Sequence, residues 1–166
     1  MSRVLRVADP ANHRVVEFCN RQRLRRLHLR RLRAVALGLL ASAGAGPADL
    51  SVAFLDATAM TRANEEHLGH AGCTDVITFD YSDGTPPAAA APLRGEILIC
   101  VAEAVTQARH FQVPWQTEVV RYLVHGVLHL QGYDDHGREK TRRMKAREDE
   151  LVAHLEQRFD LARIGE

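Results

Sequence analysis

Residues 116–130 read QTEVVRYLVHGVLHL, and the chain continues through residue 136 as QGYDDH. The spacing of the apolar residues predicts one helix over 116–130, because they recur on a single helical face. That face comprises Val119, Val120, Leu123, Val127 and Leu130. A polar stripe on the opposite side comprises Glu118, Tyr122, His125 and His129. We therefore expect a helix that packs on the core and carries two histidines one turn apart.

The two histidines predict a metal site. Imidazoles at positions i and i+4 lie on the same face and can bind one ion. Gly132 follows the predicted helix end and can adopt the left-handed conformation that turns the chain back, so that His136 reaches the same ion. The predicted ligands are thus His125, His129 and His136, which leave a fourth position for water, as in catalytic zinc sites. Asp135 is the alternative third ligand, since two histidines and a carboxylate also bind zinc.

The stretch is close to the zincin pattern HExxHxxGxxH but departs from it twice. Gly126 occupies the position of the glutamate that acts as general base in the peptidases, which disfavours peptidase chemistry. The last histidine comes one residue late, and Asp135 takes its place in the spacing.

The rest of the sequence predicts an alternation of strands and helices. Strands are expected at Val15–Cys19, Leu50–Leu55, Val76–Phe79 and Glu96–Val101. Helices are expected from Leu29 to before Gly44, from Asp56 or Thr58 to His67 with Gly69 closing it, and at Ala102–Phe111, Gln116–Leu130 and Glu139–Phe159. Residues 82–93, SDGTPPAAAAPL, predict a loop. The fold class predicted is α+β, with one mixed four-stranded sheet packed with about five to six helices and a zincin-like HxxxH metal helix.

Composition narrows the function classes. The chain has 166 residues, and we expect a single domain over 1–166. A net charge of +1 provides no general attraction to nucleic acid or to acidic membranes. No apolar run is long enough to span a bilayer, and the N-terminal segment lacks the apolar core of a signal peptide. We expect a cytoplasmic protein that does not bind membranes.

Three segments, in the same order, resemble the YbeY family of bacterial endoribonucleases and rRNA maturation factors. The first is Asn64, then Gly69, then TDVITF at residues 74–79; the second is GEILIC at residues 95–100. The third is residues 125–136, which match the family's H-G-x-L-H-L-x-G-Y-D-H with one residue added. The resemblance covers about residues 15 to 155.

The resemblance implies a function and its partners. It implies a zinc-dependent, single-strand-specific endoribonuclease that matures the 3′ end of 16S rRNA and takes part in ribosome quality control. Single-stranded RNA, ribosomal RNA and the small ribosomal subunit would be its partners. One zinc ion would be bound by His125, His129 and His136, which would also be the catalytic residues.

One position departs from the family. Many members carry an arginine, thought to serve RNA cleavage, where this chain has Leu68. Arg62 and Arg94 are the candidates to replace it in substrate binding. Two other functions remain open: a noncatalytic ribosome-assembly factor with a structural zinc, and a zinc hydrolase of another substrate class.

Residues 21–33, RQRLRRLHLRRLR, contain seven arginines and no acidic residue. Such a stretch could bind the phosphates of RNA, with an affinity that falls as salt rises. The alternative is an amphipathic helix whose arginines face solvent while Leu29 and Leu32 face the core. The sequence leaves both interpretations open.

Overall fold

The computed structural model describes residues 3–9, 11–82 and 92–165. Its strands are β1 Arg3–Asp9, β2 Arg14–Asn20, β3 Ala48–Leu55, β4 Val76–Asp80 and β5 Leu93–Cys100. Its α-helices are α1 Leu29–Ser42, α2 Ala57–Leu68, α3 Val101–Phe111, α4 Trp115–Leu130 and α5 Arg138–Arg158, followed by a 3₁₀ turn at Leu161–Ile164. The helix count and the α+β class agree with the prediction. Most of the loop predicted at 82–93 lies outside the described residues.

The strands form one mixed sheet in the order β1-β2-β3-β5-β4. The three central strands β2, β3 and β5 run parallel, and both edge strands are antiparallel to their neighbours. The sheet has five strands, so the predicted count of four was wrong. The missed strand is β1, which pairs with β2 from Arg3↔Asn20 to Asp9↔Arg14. An edge strand pairs on one side only and tolerates charged residues, so its sequence lacks a strong strand pattern.

The two faces of the sheet pack against different helices. One face contributes side chains such as Phe18, Val52 and Ile97 to the main core, which α1, α4 and α5 complete. The other face contributes Leu55 and Leu98 to a smaller core with α2. Neighbouring residues of a strand, such as Ile97 and Leu98, enter different cores because side chains alternate between the two faces of a sheet.

Helix α4 is the central helix of the larger core. Its predicted apolar face is confirmed, because Val119, Val120, Leu123, Val127 and Leu130 are all buried. The predicted polar stripe is only partly exposed. Glu118 and Tyr122 are buried as well, since α3, α5 and the sheet surround α4.

Two glycines allow α4 to lie close to the sheet. A Cβ atom on Gly126 would meet the Ile97 side chain at 2.7 Å, and one on Gly95 would meet the side chain of Leu130, on α4, at 2.6 Å. Gly126 therefore faces β5, and a glutamate in its place would collide with the Ile97 side chain. The packing at this position thus leaves no room for the glutamate of the zincin pattern.

Helix α2 begins and ends as the sequence predicts. The Asp56 side chain accepts a hydrogen bond from the Ala59 backbone N–H at 2.8 Å, and Gly69 closes the helix with a φ of +67°. Within the described ranges, no helix is both long enough and apolar enough to cross a bilayer.

Candidate metal centre

The two histidines of α4 point their ring nitrogens at one another. The Nε2 atoms of His125 and His129 lie 3.0 Å apart, and both rings are half-buried. The helix alone produces this proximity, because positions four residues apart are stacked on one face. The structure thus brings together the first two predicted ligands.

The opposite nitrogen of each ring has a partner that can only accept a hydrogen bond. His125 Nδ1 lies 3.0 Å from Glu148 Oε2, and His129 Nδ1 lies 3.1 Å from the backbone oxygen of Tyr133. We infer from these partners that each Nδ1 carries a hydrogen and donates it. In the neutral rings, both Nε2 atoms are then left as acceptors that face each other.

Asp135 adds a third acceptor at the same point. Its Oδ2 atom lies 3.9 Å from His125 Nε2 and 3.8 Å from His129 Nε2. Three acceptors without a donor between them repel one another unless a cation lies among them. Ligand atoms on a tetrahedral zinc ion lie about 3.3 Å apart, given bonds of about 2.0–2.1 Å. The three ligand atoms and their spacing therefore fit a divalent metal ion.

A short, internally bonded loop presents Asp135. Gly132 has a φ of +86°, as the sequence predicts for the turn after α4. Asp134 Oδ1 accepts a hydrogen bond from the His136 backbone N–H at 2.9 Å, and Thr141 Oγ1 donates to the Asp135 carbonyl oxygen at 2.6 Å. These bonds hold the loop, so the Asp135 carboxylate stays near the histidine pair.

His136 lies beside this site with its ring turned to Asp134. Its Nδ1 donates to Asp134 Oδ1 at 2.7 Å, and its side chain is 91% exposed. Asp134 raises the pKa of His136. Among the described residues, two groups have donors spaced for a metal: His125 with His129 and Asp135, and Asp134 with Asp135 and His136. Asp135 belongs to both groups, whereas His136 is not grouped with the α4 pair.

Glu148 is the site residue that sequence reasoning missed. It comes from α5, is 5% exposed, and contacts His125 from behind. Its Oε1 also accepts hydrogen bonds from Arg121 at 2.8 Å and Lys145 at 2.7 Å. Burial opposes its ionisation, but the bonds from His125, Lys145 and Arg121 prevail and lower the pKa of Glu148 to about 2. It is therefore a fixed negative charge behind the first ligand.

The surroundings of His129 favour the form of imidazole that binds metal. Burial, followed by the neighbouring His125, lowers the pKa of His129. A lowered pKa keeps the ring neutral at physiological pH, and only the deprotonated nitrogen can be a ligand.

The two arginines predicted to bind substrate lie on different elements of the fold. Arg62 is exposed on α2, which packs on the sheet face opposite α4. Arg94 is exposed on β5, in register with Asp49 of β3. Neither guanidinium group makes a hydrogen bond or ion pair with another described residue, and their role stays a prediction. Leu68 is 46% exposed at the end of α2.

The fold and the site together define an α+β protein with a candidate metal centre where a central helix ends. The family model of Endoribonuclease YbeY matches residues 16–156. Endoribonuclease YbeY of Syntrophotalea carbinolica is 34% identical over 147 residues, which is 87% of this chain and 98% of that protein. The Geobacter metallireducens protein of the same name is 34% identical over 143 residues, 85% of this chain and 95% of its own. The chain belongs to the Endoribonuclease YbeY family.

The fold has a counterpart among solved structures. The solution structure of TM1509 from Thermotoga maritima matches with a TM-score of 0.58 at 20% identity. The match covers 86% of this chain and 93% of that one. At this identity, the likeness concerns the fold alone.

The low pKa of Glu148 predicts a pH-dependent contribution to stability. Because the folded pKa of about 2 lies below the ordinary 4.5, ionised Glu148 stabilises the fold fully above pH 4.5. This contribution is lost as the pH falls through 2. We expect Glu148→Gln to lower the free energy of unfolding of the metal-free protein by about 3 kcal/mol at pH 7, and by far less near pH 2.

Urea unfolding across this pH range, followed by circular dichroism, measures the difference between the two proteins. Glu150→Gln is the matched control, because Glu150 is exposed on the same helix and should change stability little at any pH. A stability difference for Glu148→Gln that does not vary with pH would contradict the assignment of a buried, ionised carboxylate.

Proposed function

We propose that the protein is a zinc-dependent, single-strand-specific endoribonuclease that acts in ribosomal RNA maturation. Membership of the YbeY family supports an endoribonuclease role in rRNA processing. The observation that carries the metal dependence is the convergence of three acceptor atoms, from His125, His129 and Asp135, with no donor among them.

In this proposal, His125, His129 and Asp135 bind one zinc ion. Asp135 is the third ligand because its carboxylate already lies within 4 Å of both Nε2 atoms. His136, the third ligand predicted from sequence, would first have to leave its hydrogen bond with Asp134. A zinc ion bound with an open position would lower the pKa of a coordinated water toward about 7 and stabilise negative charge on phosphoryl oxygens.

The residues around the ligands hold them in place and keep the site accessible. Glu148 and the Tyr133 carbonyl fix the two ring orientations, as carboxylates and carbonyls behind metal-binding histidines usually do. The side chains of His125, His129 and Asp135 are 25%, 28% and 41% exposed. This exposure leaves room for a phosphodiester to approach, unlike a closed structural zinc site.

The same geometry weighs against the alternative functions. Gly126 faces Ile97 of β5, so this chain has no counterpart of the peptidase general base at that position. A noncatalytic assembly factor with a structural zinc is supported only by Leu68 in place of the family arginine. We further propose that the substrate is the 3′ end of 16S rRNA on the small ribosomal subunit, that the protein serves ribosome quality control, and that it acts in the cytoplasm.

Single substitutions of the ligands test the metal site. We expect His125→Ala, His129→Ala and Asp135→Ala each to lose most of the bound zinc, because each removes one of three protein ligands. His154→Ala is the control, since His154 is exposed on α5. Elemental analysis of the purified proteins gives the zinc content. Loss of zinc in His136→Ala with retention in Asp135→Ala would contradict Asp135 and restore the sequence-based choice.

Digestion of model RNAs tests the enzymatic activity. We expect the zinc-loaded protein to cleave single-stranded RNA, to leave duplex RNA of the same sequence intact, and to lose activity in a chelator. Gel analysis of end-labelled RNA measures the cleavage, with His129→Ala as the inactive variant. If the zinc-loaded, folded protein leaves single-stranded RNA intact, the structural-zinc alternative is the better account.

A further inference from the structure

A second concave surface lies where β2 ends and α1 begins. It is a cavity of about 910 Å³, and four arginines, Arg23, Arg25, Arg26 and Arg30, contribute to its lining. We refer to it as the arginine cavity. In a protein with a net charge of +1, this is a local concentration of positive charge.

These arginines lack acidic partners in the part of the chain that the structure describes. Among the residues that the structure describes, none of the four has a carboxylate within ion-pair distance. Arg25 makes only a side-chain hydrogen bond to the carbonyl oxygen of its neighbour Leu24, at 3.3 Å. The contrast with α5 is clear, because Arg142 and Arg147 there each pair with a glutamate three residues away. The free guanidinium groups of the arginine cavity are available to an anionic ligand.

A buried side chain gives the loop of residues 20–25, which lines the arginine cavity, its shape. Gln22 is 4% exposed, and its Nε2 donates to Asn20 Oδ1 at 2.9 Å and to the Arg25 carbonyl oxygen at 2.8 Å. Its Oε1 accepts a hydrogen bond from the Arg25 backbone N–H at 3.0 Å. The loop is therefore a folded element and not merely a charged, solvated run. A backbone already fixed in place lowers the entropy cost of binding.

The start of α1 adds to the positive potential of the cavity. Leu29 and Arg30 open the helix, and its first turn has neither an acidic residue nor a side-chain cap. The first turn itself thus provides no acidic partner for the positive end of the helix dipole. His28 also lines the cavity, and its Nδ1 is buried without a hydrogen-bond partner among the described residues.

The arginine cavity is separate from the candidate metal centre. The cavity includes Leu5 of β1 and Asn20 of β2, at one edge of the sheet. The metal centre is carried by α4, which packs on β4 and β5 near the opposite edge of the sheet. The two sites share no residue. The part of a ligand that binds in the arginine cavity is therefore not the part at which the metal centre would act.

We propose that the arginine cavity binds the phosphodiester backbone of single-stranded RNA, as a contact remote from the cleavage site. Guanidinium groups match phosphate oxygens with paired hydrogen bonds, and several arginines in a concave surface can follow a chain of phosphates. A concave surface fits a strand better than the flat face of a membrane. The choice of RNA rests on the proposed endoribonuclease function.

Salt-dependent binding tests the proposal. The probe is a labelled 2′-O-methyl oligouridylate of about 12 nucleotides, within the usual site size for single strands, whose integrity is checked on a gel. Fluorescence anisotropy gives its affinity for the zinc-loaded protein between low and physiological salt. The cavity variant is the double substitution Arg23→Gln and Arg26→Gln. The control pair is the double substitution Arg109→Gln and Arg158→Gln. All four arginines are exposed, and circular dichroism checks the folding of both proteins.

We expect the cavity variant to bind about tenfold more weakly at low salt. Its slope of log affinity against log salt should be shallower by about 1.4, because each lost phosphate contact removes about 0.7. The control pair should leave the slope unchanged. An unchanged slope in the cavity variant, or an equal change in both pairs, would overturn the proposal. The proposal would also be overturned if the cavity variant lost binding to phosphatidylserine vesicles but bound RNA as tightly as the wild-type protein.

The outcome is distinguishable from failure of the proposed function. If the wild-type protein cleaves single-stranded RNA while the cavity variant keeps its salt slope, only the arginine cavity is refuted. If the cavity variant loses affinity while the wild-type protein cleaves no RNA, the cavity stands and the endoribonuclease proposal fails.

Discussion

The two hydrogen bonds behind His125 and His129 are the constraint on which the candidate site depends. Glu148 and the Tyr133 carbonyl each hold an Nδ1–H, so both Nε2 atoms are directed to one point as acceptors. Without those partners, either ring could rotate or exchange its hydrogen, and the 3.0 Å approach would become an ordinary histidine–histidine hydrogen bond. The carboxylate of Asp135 is a third acceptor near the same point, and a cation placed there would stabilise all three.

The fold supplies those partners through close packing of α4. Gly126 and Gly95 let the helix lie against β5, while α5 covers it from the other side and brings Glu148 to His125. Glu148 remains ionised in a buried position because Arg121 and Lys145 also donate to it. A charged residue that sequence analysis would leave in solvent is thus part of the site. Its burial has a cost that these three donors offset.

The sequence is sufficient for the local features and insufficient for those formed between distant segments. The apolar face of α4, the cap at Asp56 and the turn at Gly132 follow from short-range patterns, and the structure agrees with each. Strand β1 was missed although its pairing with β2 is local, because an edge strand carries charged residues and lacks a strong strand pattern. Glu148 was missed because it lies 23 residues after His125 in a helix rich in charge, where no spacing rule marks one glutamate.

The choice between Asp135 and His136 as third ligand also depends on contacts that the sequence does not specify. Asp135 and His136 are adjacent, and chemistry alone favours a third imidazole. The orientation of the loop depends on Asp134, which accepts hydrogen bonds from His136, and on Thr141, which holds the Asp135 carbonyl. These contacts turn the His136 ring toward solvent and leave Asp135 beside the pair. The same holds for the arginine cavity, which requires the buried Gln22 as well as the arginines.

The most direct measurement is a crystal structure of the zinc-loaded protein with anomalous diffraction data collected on both sides of the zinc absorption edge. We predict one anomalous peak per chain, about 2.0–2.1 Å from His125 Nε2 and His129 Nε2 and about 2.0–2.2 Å from an Asp135 oxygen. A zinc peak elsewhere, or rings of His125 and His129 turned apart with Glu148 bonded to neither, would contradict this prediction.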